Sequence, residues 1–235
     1  MTITQKLFEV QDSEYREFQS KLVPNISKDS MIGVRTPQMR AIAKEFFGKG
    51  KTISTEAQSF LTELPHKYYE ENMVHFFLVS MIKDFDECVK ELEAFLPFID
   101  CWPVCDQSSP KAFKKNREKL LPLIKKWIDS KHVYTARFGL RMLMNEFLDE
   151  AFKPEYLEWA AERQKKPTEG DDYYLKMMIA WYFATALAKQ YDSSFQFIKN
   201  RRLETWTHNK AIQKAIESFR VSDEHKKELA KLKIN

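Results

Sequence analysis

Glycine is so scarce in this chain that few of the tight turns that join β-strands can be built. Only 5 of the 235 residues are glycine, and the 9 prolines stand singly. Sheet proteins of this size use many glycines at their turns, whereas stacked helices need few. The scarcity of glycine therefore favours an all-α fold.

Helix-capping signals recur along the chain and predict the same fold class. Thr36-Pro37 and Ser109-Pro110 each place a capping side chain before a proline, and Asp84 precedes a glutamate at capping-box spacing. Apolar residues then follow at helical spacing. The predicted helices cover residues 38–47, 56–64, 68–83, 85–95, 117–128, 133–147, 154–161, 172–189, 195–200, 210–219 and 223–233. No segment alternates apolar and polar residues for long enough to predict a strand.

The lengths of these helices predict how they pack. They are short, they are joined by short connections, and they lack a long heptad pattern. This combination is typical of paired helices stacked in an α-solenoid, rather than of a coiled coil or a simple bundle. We expect a single domain over residues 1–235 that presents one concave surface.

The net charge and the cysteine content exclude few functions, but they limit which partners and which cross-links we expect. A formal net charge of +4 permits a polyanionic partner, and it equally permits a slightly basic enzyme that never meets nucleic acid. Cys88, Cys101 and Cys105 are too few for a disulfide framework and lack further ligands at zinc spacing, so we interpret them as core residues. We expect no metal and no small-molecule cofactor.

Neither a signal peptide nor a membrane span is predicted. Residues 1–10 have no apolar core of the signal-peptide kind, and the longest apolar run, 177–183, is too short to cross a bilayer. We therefore expect a cytoplasmic protein without membrane contact.

Trp102 and Asp106 are the first candidate site. If their segment is helical, the four-residue spacing places an indole beside a carboxylate on one face. Apolar neighbours make Asp106 an unusual surface charge. The alternative is a structural aspartate that binds the backbone ahead of Ser109-Pro110.

Arg137 is the second candidate, because it lies in the middle of an apolar helical stripe. A guanidinium there must be paired, face a groove, or extend from the edge of the stripe to solvent. Trp181 lies on another stripe and is compatible with a core position. Two basic runs could contact phosphate or could simply be solvated: Lys111, Lys114 and Lys115 in the first, and Asn209, Lys210 and Lys214 in the second.

Taken together, these segments resemble the HEAT-like-repeat DNA alkylation repair family, typified by the bacterial AlkD-type DNA glycosylases. The resemblance covers nearly the whole chain. It rests on the order and spacing of Gly33-Val34-Arg35-Thr36-Pro37, Trp102 with Asp106, Arg137-Phe138-Gly139-Leu140, Tyr173-Tyr174 through Trp181, and Asn209-Lys210-Ala211-Ile212-Gln213-Lys214.

The resemblance implies a HEAT-like superhelix whose basic concave face holds duplex DNA, damaged or branched forms included. It implies excision of alkylated purines without base flipping, in base excision repair, by a monomer that joins the nucleoid when DNA-bound. Asp106 would stabilise the positively charged sugar, and Trp102 and Trp181 would flank it. Arg137 would hold a phosphate, as would the lysines and Asn209 of the two basic runs.

One segment departs from the family pattern. Active members carry a helix that enters the minor groove just ahead of the Thr-Pro motif, whereas residues 23–32 here predict a loop. The chain therefore resembles a divergent branch with little or no excision. A DNA glycosylase, a non-catalytic DNA-binding or scaffold protein, and a protein-binding α-solenoid stay open as functions.

Overall fold

The predicted all-α class is confirmed by a computed structural model that describes residues 1–48 and 53–234. No strand occurs in these ranges; a single isolated bridge joins His132 to Glu169. Three short 3-10 turns span Lys28–Ser30, Leu96–Phe98 and Phe113–Lys115. The α-helices are α1 (Ile3–Glu9), α2 (Ser13–Leu22), α3 (Thr36–Phe47), α4 (Thr55–Thr62), α5 (Tyr69–Met81), α6 (Phe85–Phe95), α7 (Trp102–Asp106), α8 (Arg117–Ile128), α9 (Val133–Phe147), α10 (Glu155–Arg163), α11 (Asp172–Lys189), α12 (Tyr191–Lys199), α13 (Thr205–Glu217) and α14 (Asp223–Ala230).

Contacts divide the chain into two compact units. The N-terminal unit is Met1–Asn116 and contains α1 to α7; the C-terminal unit is Arg117–Asn235 and contains α8 to α14. The single domain over residues 1–235 stays a prediction.

The N-terminal unit is built around α5, which packs against α1, α3, α4, α6 and α7. Residues Tyr69 to Ser80 of this helix are all buried, including the fully buried Glu70. The Glu70 carboxylate accepts hydrogen bonds from the backbone N–H groups of residues 32, 33 and 34 at 2.9, 2.8 and 3.3 Å. Burial raises the pKa of Glu70, and these three bonds oppose the rise. A buried carboxylate thus holds the segment that leads into α3.

Gly33 explains part of the motif before α3. Its φ of +93° lies in the left-handed region, and a Cβ there would approach the Asp12 carbonyl oxygen to 2.4 Å. Only glycine fits this close approach to the start of α2. The preceding residues form the predicted loop, since residues 23–32 contain only the 3-10 turn Lys28–Ser30.

The C-terminal unit repeats a helix-pair arrangement. Helices α9, α11 and α13 pack side by side, with α8 against α9, α10 and α12 against α11, and α14 against α13. The three inner helices begin together, because the Tyr134 and Tyr174 rings are 5.8 Å apart and the Tyr173 and Trp206 rings 5.6 Å apart. Residues near the C-terminal ends of the three helices also line shared hollows. The helices therefore run parallel, as in a helical-repeat fold.

Gly139 lets α9 approach α8 closely. A Cβ at this position would lie 2.7 Å from the Ile128 backbone nitrogen and 3.0 Å from the Trp127 Cβ. The fully buried Phe138 ring packs against Trp127 at 5.3 Å. The Arg137-Phe138-Gly139-Leu140 motif therefore has a packing role in this unit.

Several predicted helix boundaries were wrong. Helices α1 and α2 were missed, although Asp12 caps α2 by accepting from the Tyr15 N–H at 2.9 Å. Helix α13 begins at Thr205, five residues before its predicted start. Thr205, Thr207 and Asn209 favour caps over helix interiors, which is why the predicted start lay too late. No helix starts at Ser109-Pro110, since the Lys111 N–H bonds the Ser80 carbonyl at 3.1 Å and only a 3-10 turn follows.

Candidate functional site

Helix α7 positions Trp102 and Asp106 in the N-terminal unit. It is five residues long, with Pro103 in its first turn, and the two side chains stand at its two ends, one turn apart. Both are only partly buried, whereas Val104 and Cys105 between them are fully buried. The helical geometry predicted for this pair is confirmed.

The surroundings of α7 hold it on both sides. The Trp102 indole N–H donates to the Leu22 carbonyl at 3.4 Å, and the Asn25 amide donates to the Asp100 carbonyl at 2.7 Å. Beyond the helix, the Arg40 guanidinium donates to the Gln107 carbonyl. These contacts join α7 to α2, to the loop after α2, and to α3. An indole and a carboxylate are therefore presented from a rigid support.

The cysteines near this pair are core residues. Cys88, Cys101 and Cys105 are thiols rather than members of disulfides and are fully buried, as the sequence predicted. Burial raises the pKa of the Cys88 thiol to about 12 and also raises that of Cys101. A thiol that stays protonated is a poor nucleophile and a poor metal ligand.

The first basic run forms an exposed turn after α7. Lys111, Lys114 and Lys115 are all exposed around the buried Phe113 ring. Among the residues that the structure describes, none of the three has an ion-pair partner. Their charges therefore face solvent, and contact with a phosphate backbone stays a prediction for this run.

Arg137 is paired rather than open to solvent. Its side chain is 6% exposed, and one guanidinium N–H donates to the Tyr174 carbonyl at 2.6 Å. The sequence left pairing, a groove and solvent open for this residue. This bond joins α9 to α11, so the residue holds the two inner helices together as well as carrying a charge.

Trp181 lies between two open hollows of the C-terminal unit. Their volumes are about 230 and 260 Å³, and both are also lined by Thr185 and Arg220. Lys214 lines the first hollow, so two residues predicted from the sequence meet there. Trp181 is half-buried, and one side of its indole can therefore face a ligand.

The second basic run divides between two roles. Lys210 and Lys214 lie one turn apart on α13, and the Lys210 ammonium is 3.0 Å from the Gln213 side-chain oxygen. Asn209 differs from them, because its amide donates to the Ile234 carbonyl at 2.7 Å and accepts from the Ile234 N–H at 2.9 Å. The amide therefore has a structural use in binding the chain after α14.

Arg220 and Phe219 were missed as site residues. Arg220 borders both hollows, and Phe219 beside it is 94% exposed. The predicted helix over residues 210–219 assigned Phe219 to a helix end and gave it no separate role. The adjacent Ser218 and Ser222, which favour a turn, were the available signal.

Comparison with known proteins identifies the family. The model of a family described as DNA alkylation repair enzyme matches residues 3–219, which is most of the chain. Among curated proteins, none matches. No helix in the described ranges combines the length and the apolar character that a membrane crossing requires.

Proposed function

Since the chain belongs to the DNA alkylation repair enzyme family, and so to DNA repair, we propose that it binds duplex DNA and releases alkylated purines slowly. Helix α7 is the main support, because it presents the Trp102 indole and the Asp106 carboxylate one turn apart from a fixed position. The reaction is hydrolysis of an N-glycosidic bond.

The reaction requires the protein mainly to position the substrate and to place a negative charge near the sugar. A purine alkylated on a ring nitrogen is cationic and leaves as a neutral base when the bond from C1′ to the purine nitrogen breaks. The sugar then carries positive charge, which the Asp106 carboxylate stabilises directly. Indole faces stabilise a cation through their negative π surface, the role that we assign to Trp102 in the N-terminal unit. For Trp181, in the C-terminal unit, the same role rests on the family resemblance alone. Water forms the new bond to C1′ and releases one proton to the solvent.

Binding is assigned to the basic residues of each unit. Lys111, Lys114 and Lys115 contact phosphates from the turn after α7, and Lys210 and Lys214 do so from α13. Arg137 holds a phosphate while its guanidinium also bonds the Tyr174 carbonyl. Phosphate contacts carry no base information, so we expect binding to be nearly independent of sequence.

A second candidate is a DNA-binding protein without catalysis, and the loop over residues 23–32 favours it. The following backbone is fixed by the Glu70 carboxylate, and Asn25 is bonded to the chain before α7. A segment tied down in this way does not form the helix that probes the minor groove in active relatives. This is why we expect slow excision.

The test measures release of alkylated purine from a methylated duplex together with affinity for undamaged duplex. Asp106→Asn keeps the shape of the side chain and removes its charge. Glu150→Gln, which changes an exposed carboxylate after α9, is the matched control. We expect wild type and Glu150→Gln to release purine slowly at equal rates, and Asp106→Asn to release at least tenfold less at unchanged affinity.

Three results would change the assignment. Excision by Asp106→Asn at the wild-type rate rejects the role of this carboxylate. Tight binding by wild type without any excision selects the non-catalytic candidate. If the protein neither binds duplex DNA nor releases purine, a protein-binding α-solenoid is the remaining candidate function.

A further inference from the structure

The turn between α13 and α14 exposes a phenylalanine almost completely. Phe219 is 94% exposed, whereas the next most exposed aromatic ring, that of Phe18, is 56% exposed. Burying a phenylalanine stabilises a protein by about 1.5–3 kcal/mol, and this side chain contributes none of that to the fold. Isolated exposed apolar residues are common, so its surroundings decide whether it has a use.

The turn that carries Phe219 is fixed on both sides. The Ser218 N–H donates to the Ala215 carbonyl at 3.2 Å, and the Ser218 hydroxyl accepts from the Arg220 N–H at 3.2 Å. Val221, two residues after Phe219, is buried, and Ser222 caps α14. The ring therefore projects from a rigid support, and little conformational entropy is lost when it contacts a ligand.

The neighbouring surface is basic and aromatic. Arg220 lines both hollows beside Trp181, and Lys214 lines the first of them. Glu217, also on the first hollow, accepts from the Gln213 amide at 2.8 Å and is the acidic group of this surface. Two cations beside one acid leave a net positive charge, which fits a phosphate.

Given the DNA binding proposed above, we infer that Phe219 is a wedge that stacks on a DNA base while Arg220 and Lys214 hold the adjacent phosphates. An apolar side chain next to cations matches the chemistry of a nucleotide, which joins an apolar base to an anionic phosphate. Apolar wedges enter between base steps and partly unstack them, and the DNA bends there. The substrate class is a duplex with a weakened base step, where insertion is cheapest.

The wedge is tested by measuring the affinity of the protein for two duplexes. One duplex is fully paired, and the other has a single central mismatch. We expect wild type to prefer the mismatched duplex, because less stacking must be broken. Phe219→Ala should lose this preference and bind the mismatched duplex roughly 5- to 150-fold more weakly, as expected for loss of one base–aromatic contact. The melting temperature should not change, since the ring touches little of the protein.

Two further variants separate this inference from DNA binding itself. Phe18→Ala removes another exposed ring, from α2, and should leave the preference for the mismatch intact. Lys214→Ala should weaken both duplexes equally. If Lys214→Ala weakens binding but Phe219→Ala binds both duplexes as wild type does, the wedge is rejected while DNA binding stands. If wild type binds neither duplex, both proposals fail.

Discussion

Replacing Gly139 with alanine tests the close packing of α8 against α9. The added Cβ would lie 2.7 Å from the Ile128 backbone nitrogen, whereas ordinary contacts begin at 3.4 Å. The helices must therefore separate locally by about 0.7 Å, because a main-chain atom cannot rotate away as a side chain can. Arg137, two residues earlier, would shift with α9.

Two opposing effects determine how much Gly139→Ala changes the free energy of unfolding. Overpacking a core costs about 1–3 kcal/mol, and a contact with backbone belongs near the upper end. Alanine recovers about 1 kcal/mol over glycine through helix propensity. The net loss is about 2 kcal/mol, which lowers the melting temperature of a chain of this size by roughly 4–8 °C.

Thermal unfolding followed by circular dichroism measures this loss, with urea unfolding as a check on the free energy. Ala41→Gly, at an exposed position inside α3, calibrates helix propensity without any clash. A melting temperature of Gly139→Ala equal to or above that of wild type would refute the reasoning, because helix propensity would then outweigh the contact.

Two other perturbations follow from the structure. His66 and His75 are 2.8 Å apart through their ring nitrogens, and burial lowers the pKa of each, while Glu71 and Glu63 oppose the shift of His66. The neutral pair therefore supports the fold fully above the unfolded pKa of about 6.5, and stability should fall as pH drops below it. Urea unfolding between about pH 7 and about pH 5 should show this slope. The double variant His66→Gln with His75→Phe should reduce it, and an unchanged slope would contradict the assignment. Asn209→Ala should cost about 1–2 kcal/mol by removing its two bonds to Ile234, with duplex affinity unchanged. Loss of affinity at constant stability would instead make Asn209 a DNA contact.

Local signals predicted helices well where one cap and one apolar stripe agreed. Asp84 caps α6 by accepting from the Glu87 N–H at 2.8 Å, and the predicted range 85–95 matches the helix. The signals failed at two other places. The Lys111 N–H bonds the Ser80 carbonyl where Ser109-Pro110 indicated a helix start. The start of α13 was predicted too late, because Thr205, Thr207 and Asn209 disfavour helix interiors.

The candidate site was predictable only in part. The spacing of Trp102 and Asp106 indicated a shared helix face, and the structure has that helix. The partner of Arg137 is a backbone carbonyl on a helix 37 residues away, which no local pattern can reveal. Phe219 and Arg220 were overlooked because their importance depends on exposure and on a neighbouring hollow, both of which are properties of the folded unit.

The salt dependence of duplex binding tests DNA recognition most directly. Each cation that neutralises a phosphate contributes about −0.9 to the slope of log affinity against log salt. Seven cations are assigned to phosphates and together predict a slope of about −6: Lys111, Lys114, Lys115, Arg137, Lys210, Lys214 and Arg220. Replacing any one of the lysines by alanine should reduce the magnitude of the slope by about 1. A duplex of the same length and scrambled sequence should bind with the same affinity. A slope near zero in wild type, or the same slope in every lysine variant, would contradict binding through these residues.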